Sequence, residues 1–560
     1  VLIKRVSTTG GHFGPNLGMV EATIALHYVF NSPVDKFVYD VSHQSYVHKM
    51  LTGRKEAYIN PEKFKTVTGY TEPKESEHDF FTIGHTSTSI SLACGLAKGR
   101  DAVGSNENII AIIGDGSLSG GEAYEGLNNA AASNKNIIIL VNDNDISIAE
   151  NHGGLYKNLA QLRESEGKLD NNFFKSLGFE YHFVKDGNNL ESLIETFEKV
   201  KDTTRPVVVH MHTIKGKGYE DAENNKESFH WVMPFDLETK EPLFKGEYVK
   251  SYGDITEDFL IEKAKKDKSI VAITAATPGI VGVNRFRSEL QDQYVDVGIA
   301  EEHAIALASG MAKRGAKPVA AFLSSFIQRT YDQLSQDLAI NNNPATIMVY
   351  WGGISGSDVT HLGLFDIPLI SNIPNMVYLA PTTKEEHLAM VDWAIEQDKH
   401  PVAIRVPNME VVSTGVGVEA NFDELNKYVM VEEGKDVAII GLGSFFHLGK
   451  KVQERLRNTG INATLINPRF ITGVDEDLLN ELKENHKVVI TLEDGILDGG
   501  FGEKIARFYG NSQMRVLNFG ATKEFTDSVE LDVLYERYHL TEELIVEDIE
   551  KVLADIKVFA

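Results

Sequence analysis

The sequence predicts an α/β fold, built as three doubly wound α/β domains with mainly parallel sheets. Short runs rich in Ile and Val recur between helix-length segments along the whole chain: "NIIAII", "NIIILV", "RPVVVHMH", "SIVAIT", "ATIMVY", "DVAIIG" and "KVVITL". Such runs are apolar on both faces, as strands covered by helices on both sides must be. Alternation of strand and helix implies parallel pairing. The chain has 560 residues, more than one hydrophobic core supports.

Two breaks divide it. "DAENNKESFHWVMPFDLETKEPLFKGEYVKS" is polar, holds prolines and has no clear period; it reads as a linker ending near Lys250. "VPNMEVVSTGVGVEANFDELNK" separates the strand at "PVAIRV" from "DVAIIGLG". The expected domains are therefore 1–240, 250–410 and 420–560. No short tandem repeat or low-complexity tract is present.

Composition narrows the function. Hydrophobic and charged fractions of 42% and 24% are ordinary for a globular protein. A formal charge of −26 argues against general nucleic-acid or membrane-surface binding, while leaving room for a local basic pocket. Cys94 is the only cysteine, so no intramolecular disulfide forms, which fits a reducing compartment and fits others as well; a cytoplasmic location is expected. No apolar run of about 18 residues suggests a membrane span. The opening "VLIKRVSTTGGH" does not read as a signal peptide.

The first chemical motif is "IIAIIGDGSLSGGEAYEGLNNA", followed by "IIILVNDNDISIAEN". One buried strand ends at Gly114-Asp115-Gly116 and the next at Asn142-Asp143-Asn144. Open α/β sheets bind ligands at the C-terminal ends of their strands. Asp115 and Asn144 both offer oxygen there, as a hard cation such as Mg²⁺ beside a phosphate requires. The glycines let backbone amides approach that phosphate. Gly-Asp-Gly by itself is most often a plain turn. With an Asn at the next strand end about thirty residues later, it resembles the thiamine diphosphate motif.

The second motif is "YVDVGIAEEHAIALASGMA", where Glu301 opens a helix. A glutamate at a helix start is commonly there for the dipole. In a thiamine enzyme it has a sharper use: a buried carboxyl bonded to the aminopyrimidine ring drives its imino tautomer, and burial raises that carboxyl's pKa. Glu302 is adjacent but points elsewhere on a helix, so Glu301 is preferred.

"GGHFGPNLGMVEATIALHYVF", "DVSHQSYVHKMLTGR", "IGHTSTSISLACGLA", "TIKGKGYEDAE", "SFIQRTYDQL" and "THLGLFD" join these motifs in order along nearly the whole chain. The ordered set resembles the 1-deoxy-D-xylulose-5-phosphate synthase family, within the transketolase-like thiamine diphosphate enzymes. The resemblance implies a transferase that joins pyruvate to glyceraldehyde 3-phosphate with loss of CO2. The product, 1-deoxy-D-xylulose 5-phosphate, is a precursor for isoprenoids, thiamine and pyridoxal. It also implies thiamine diphosphate and Mg²⁺ as cofactors and a homodimer.

Residue by residue, the resemblance implies that Asp115, Asn144 and the Ile146 carbonyl ligate Mg²⁺. Gly116, Ser117 and Lys215 would meet the pyrophosphate. His43, His85, Thr86 and Ser87 would line the cofactor, and Phe326 would stack on its aminopyrimidine. His12, His230 and His361 match positions lining the substrate channel, where proton transfer and hydrogen bonds to hydroxyl groups are needed. Asp358 is expected to orient His361 or to bond a substrate hydroxyl. Arg329 and Arg405 match arginines that bind the acceptor's phosphate.

The chain also departs from the family. Tyr350-Trp351-Gly352-Gly353 replaces Asp-Arg-Ala-Gly, so Trp351 stands where a phosphate-binding arginine is expected. Asn408 replaces a second arginine, and Leu323 replaces a tyrosine. The segment "NLAQLRESEGKLDNNFFKSLG" is short. A charge-assisted phosphate contact contributes about 1.5–3 kcal/mol, so each loss is worth roughly ten- to a hundredfold in affinity. Three rival readings follow: a transketolase-type or synthase-like enzyme with another donor or acceptor, a thiamine fold without catalysis, and a dinucleotide enzyme suggested by "IIGLGSFF". The last has only two glycines of the usual three and no convincing acid after them.

Overall fold

The computed structural model describes residues 1–133, 135–244, 246, 249–418 and 421–559, with side chains to residue 556. Within the two expected linkers, Lys245, Glu247, Tyr248, Glu419 and Ala420 lie outside the described residues. The chain forms two compact units: Val1–Tyr248 with Val297–Ala300, and Val249–Asp296 with Glu301–Ala560.

The first unit is built on a five-stranded parallel sheet. Its order is Lys36–Tyr39, Ile109–Gly114, Ile138–Asp143, Val207–His212, Glu180–Val184. Side chains alternate across the strands, so each apolar run feeds two cores. Ile109, Ala111, Ile113, Ile139 and Val141 pack with Ile90, Ala97 and Leu127 of helices Ser89–Val103 and Gly121–Ala131. Ile110, Ile112, Ile138 and Leu140 pack on the opposite face with Leu26, Leu193 and Phe197 of helices Val20–Val29 and Leu190–Val200. Each large apolar side chain so buried contributes about 1.5–3 kcal/mol. Leu193, Phe197 and Val200 recur at helical spacing, and the Asn189 side chain caps their helix by accepting from Ser192 N.

The polar stretch read as a linker is partly folded into this unit. Trp231–Val232 pairs antiparallel with Gly11–His12, and Val232 and Phe235 are buried with Phe13. Its few apolar residues suffice to anchor it, although they show no period. The short segment after Asn158 is also closed: Asn158 donates to Asn171 O at 2.6 Å and accepts from Phe173 N at 3.1 Å, joining helices Gly154–Glu164 and Phe173–Leu177.

The second unit carries two sheets. Six parallel strands run in the order Val377–Leu379, Val402–Arg405, Thr346–Tyr350, Lys317–Leu323, Ile270–Thr274, Tyr294–Asp296. The other sheet runs Val429–Glu432, Thr464–Asn467, Asp436–Gly441, His486–Ile496, Arg515–Ala521, with only its first strand antiparallel. Helix Tyr252–Lys266 opens on a capping box between Ser251 and Asp254. All seven apolar runs named above are strands, and the α/β architecture with mainly parallel sheets is as the sequence predicts. Among the described residues no helix is long and apolar enough to cross a membrane.

Candidate active site

Asp115 and Asn144 follow directly on strands Ile109–Gly114 and Ile138–Asp143, which are neighbours in the sheet. Asp115 N donates to Asn142 O at 3.0 Å, fixing the two strand ends together. The Asp115 carboxylate is buried and accepts from Asn151 Nδ2 at 2.7 Å. Burial, with the Asp143 carboxylate as second cause, pushes it up to about 8. Asn144 Oδ1 is buried and, among the described residues, has no hydrogen-bond partner.

The turn carrying Asn144 is held from three sides. Asp143 accepts from Arg163 Nη1 at 2.7 and 2.8 Å and from His210 Nε2 at 2.8 Å. Burial alone would raise the Asp143 carboxyl; the bonds and charges of His210 and Arg163 outweigh it and hold it below its usual value. Arg163 Nη2 reaches Asp145 at 2.6 Å, and Lys226 Nζ donates to Asn144 O at 3.0 Å. Ile146 lies half-buried further along the same loop.

Gly116 is required by close approach. A Cβ there would lie 2.4 Å from Ser147 Cβ and 2.9 Å from Ser147 Cα. Ser87 Oγ donates to Ser117 O at 2.8 Å, tying the half-buried His85 and Thr86 segment to the Gly-Asp-Gly turn. Ser87 takes φ 75, a conformation an L-residue holds only when its surroundings fix it. The fixing group is buried Asp40, which accepts from Ser87 N at 2.8 Å and Ser89 N at 3.0 Å.

Lys215 is buried; its Nζ donates to Ser147 O at 2.6 Å and to His230 Nδ1 at 3.0 Å. Burial pulls this ammonium down to about 7. The rings of His12, His43 and His230 form one cluster, with centroids 4.7, 5.6 and 5.4 Å apart. Asn16 Nδ2 orders two members by donating to His12 O and His43 O, both at 2.8 Å. Burial, then Lys215, keeps His230 well below the usual histidine value, so the ring is neutral and Nδ1 accepts.

The first unit thus offers a buried acid, an unpartnered amide oxygen and a buried ammonium. The two oxygens suit a hard cation, and the ammonium suits a phosphate group.

In the second unit, Glu301 opens helix Glu301–Lys313 and is 3% exposed. Burial pushes its carboxyl up to about 7. Its Oε2 accepts no hydrogen bond among the described residues, and Arg329 Nη1 lies 3.7 Å away. Phe326 follows strand Lys317–Leu323, and its ring centroid is 5.6 Å from that of His361. Asp358 Oδ1 lies 3.2 Å from His361 Nδ1 and accepts from Thr360 N at 2.9 Å. Burial would raise Asp358, but His361 and Thr360 outweigh it and hold it low.

The glycine-rich turn before this pair begins at Trp351, which is 55% exposed with φ 57. Gly353 N donates to Gly363 O at 2.8 Å, closing the loop that carries Asp358 and His361. Arg405 lies under the turn and bonds two carboxylates, Asp366 and Asp494. Ser444 Oγ, of the "IIGLGSFF" motif, donates to Asp494 Oδ2 at 2.9 Å just before helix Phe445–Asn458. A carboxylate at that helix start repels a phosphate, which removes the dinucleotide reading. Gly441 is explained by packing, since a Cβ there would lie 2.6 Å from Phe446 Cα.

Sequence reasoning missed Asp40, Asn16, Arg163, Asp366 and Asp494. Each has at least one partner distant in sequence, which no spacing announces. Asp40 had a weak signal, as the acid ending the apolar run "FVYD".

Comparison with known proteins gives the family. Residues 1–171 and 166–213 match the 1-deoxy-D-xylulose-5-phosphate synthase family; residues 250–412 match the transketolase pyrimidine-binding domain and residues 426–545 the transketolase C-terminal domain. A 1-deoxy-D-xylulose-5-phosphate synthase of Caldanaerobacter subterraneus subsp. tengcongensis is 39% identical over 587 aligned positions, covering 98% of this chain and 94% of the relative. One from Symbiobacterium thermophilum is 38% identical over 99% of this chain and 91% of its own. Among solved structures, a Pichia stipitis transketolase is 15% identical with a TM-score of 0.48, covering 99% of this chain and 96% of that one.

Proposed function

This chain belongs to the 1-deoxy-D-xylulose-5-phosphate synthase family, and on that premise we propose how its own residues serve the family reaction. It is a thiamine diphosphate-dependent transferase that condenses pyruvate with glyceraldehyde 3-phosphate, giving 1-deoxy-D-xylulose 5-phosphate and CO2. Thiamine diphosphate, when bound, supplies the nucleophilic carbon and the electron sink that this chemistry needs.

In our reading Asp115, Asn144 and the Ile146 carbonyl hold Mg²⁺, and Gly116, Ser117 and Lys215 hold the diphosphate. Asn144 Oδ1, which has no hydrogen-bond partner among the described residues, supports this. The Lys215 ammonium regains full charge beside an anion, since burial without one has pulled it down to about 7. His43, His85, Thr86 and Ser87 line the cofactor, and Phe326 stacks on its aminopyrimidine ring.

Glu301 carries the reading. With its carboxyl pushed up to about 7 and Oε2 accepting no hydrogen bond among the described residues, it holds a proton it can give to a ring nitrogen at neutral pH. Lys215 donates to His230 Nδ1, so the neutral His230 ring has its proton on Nε2 and donates from there to a substrate oxygen. His361 Nδ1 donates to Thr360 Oγ1 at 2.9 Å and reaches Asp358 Oδ1 at 3.2 Å, and in our reading its Nε2 accepts a substrate hydroxyl proton. His12, packed against both His43 and His230, serves the same proton traffic. Arg329 binds the acceptor's phosphate. We further read the segments 1–240, 250–410 and 420–560 as three domains, and the protein as a cytoplasmic homodimer like the family it resembles. The test is Glu301→Ala: turnover should vanish with the fold intact, and near wild-type activity would sink the assignment.

A further inference from the structure

Arg405 has the chemistry of a phosphate ligand but the setting of a structural clamp. It ends strand Val402–Arg405 and is 6% exposed. Its Nε donates to Asp366 Oδ2 at 2.7 Å and its Nη2 to Asp366 Oδ1 at 3.3 Å. Nη1 bonds the Asp494 carboxylate, and Nη2 also reaches Asp494 O at 3.3 Å. All three nitrogens are thus engaged. Two carboxylates around one guanidinium leave a negative surplus, so an approaching phosphate meets repulsion and would have to displace a buried carboxylate. The carboxylates are themselves fixed, Asp366 by the Tyr378 hydroxyl and Asp494 by Ser444 Oγ.

The clamp grips both ends of one segment. A Cβ on Gly352 would lie 2.8 Å from Arg405 Nε, and a Cβ on Gly353 would lie 2.8 Å from Asp494 Oδ2, so the turn rests directly on the ion pair. Asp366 opens helix Asp366–Ser371 at the segment's other end. Asp358 and His361 lie between these two anchors.

We propose that Arg405 is a positioning residue that holds the Gly352–Asp366 segment, and with it Asp358 and His361, rather than a ligand of the acceptor's phosphate. The proposal rests on the family reaction assigned above. Product formation by the unaltered protein tests that reaction; the behaviour of two variants tests the proposal.

The experiment measures kcat and KM for glyceraldehyde 3-phosphate in Arg405→Lys and Asp494→Asn. A positioning role gives a kcat loss of about tenfold or more in both, with KM within about threefold of wild type. A phosphate-binding role gives the opposite pattern. Arg405→Lys would then raise KM with kcat kept, and Asp494→Asn would free the guanidinium and lower KM. A change confined to KM, or no change in Asp494→Asn, overturns the proposal. Should Arg405→Lys fail to fold, Asp494→Asn decides alone, because the two roles shift its constants differently.

Discussion

The Arg163 guanidinium holds the Asp143 carboxylate through Nη1 at 2.7 and 2.8 Å, while its Nη2 reaches Asp145 at 2.6 Å. Asn144 stands between these two acids, so one side chain sets the turn that aims its amide oxygen. Arg163→Ala leaves a buried carboxylate short of a partner, a loss of about 1.5–3 kcal/mol. The expected outcome is Mg²⁺-dependent thiamine diphosphate binding weakened about tenfold or more, read by calorimetry. Unchanged affinity would remove Arg163 from the site.

Glu301 makes stability depend on pH. Its carboxyl titrates at about 7 in the folded chain against an ordinary 4.5. A raised pKa contributes stability that is full below the unfolded value and is lost as pH rises through the folded one. Glu301→Gln removes the titration. Without cofactor, the variant should gain on wild type by roughly 2–4 kcal/mol between pH 4.5 and pH 8. Denaturant melts at the two pH values check this; a constant difference would show that Glu301 is not held protonated.

Gly116→Ala places a methyl group 2.4 Å from Ser147 Cβ, against a segment whose carbonyl also accepts from Lys215. Overpacking of this kind costs about 1–3 kcal/mol. Both thermal stability and cofactor affinity should fall. A variant that keeps cofactor affinity would show that the Ser147 segment yields without disturbing the site.

Trp351 is exposed at the turn's surface. Trp351→Arg restores a cation where the family has one. If the acceptor's phosphate passes this turn, KM for glyceraldehyde 3-phosphate should drop about ten- to a hundredfold, with kcat little changed. An unaltered KM would place the phosphate elsewhere.

What was legible in the sequence was what repeats or stays local. Ile109–Gly114 and Ile138–Asp143 announced themselves because a strand buried on both faces must be continuously apolar. Asp115, Asn144 and Glu301 sit at strand ends and a helix start, positions that spacing marks. In the polar stretch before Lys250, Val232 and Phe235 are core residues with no periodic neighbours to reveal them. Arg405 shows the other limit. Its strand-end place was readable, but Asp494, its partner 89 residues away, could be found only in three dimensions. Arg163 and Asp143, 20 residues apart, were hidden in the same way.

The central claim is decarboxylative carboligation, and product analysis tests it most directly. The protein, with thiamine diphosphate and Mg²⁺, is supplied with carbonyl-labelled pyruvate and glyceraldehyde 3-phosphate while CO2 and labelled products are followed together. The expected result is one CO2 for each labelled 1-deoxy-D-xylulose 5-phosphate, and neither with Glu301→Ala. Ketol transfer from a sugar phosphate without CO2, or turnover that survives Glu301→Ala, would contradict it.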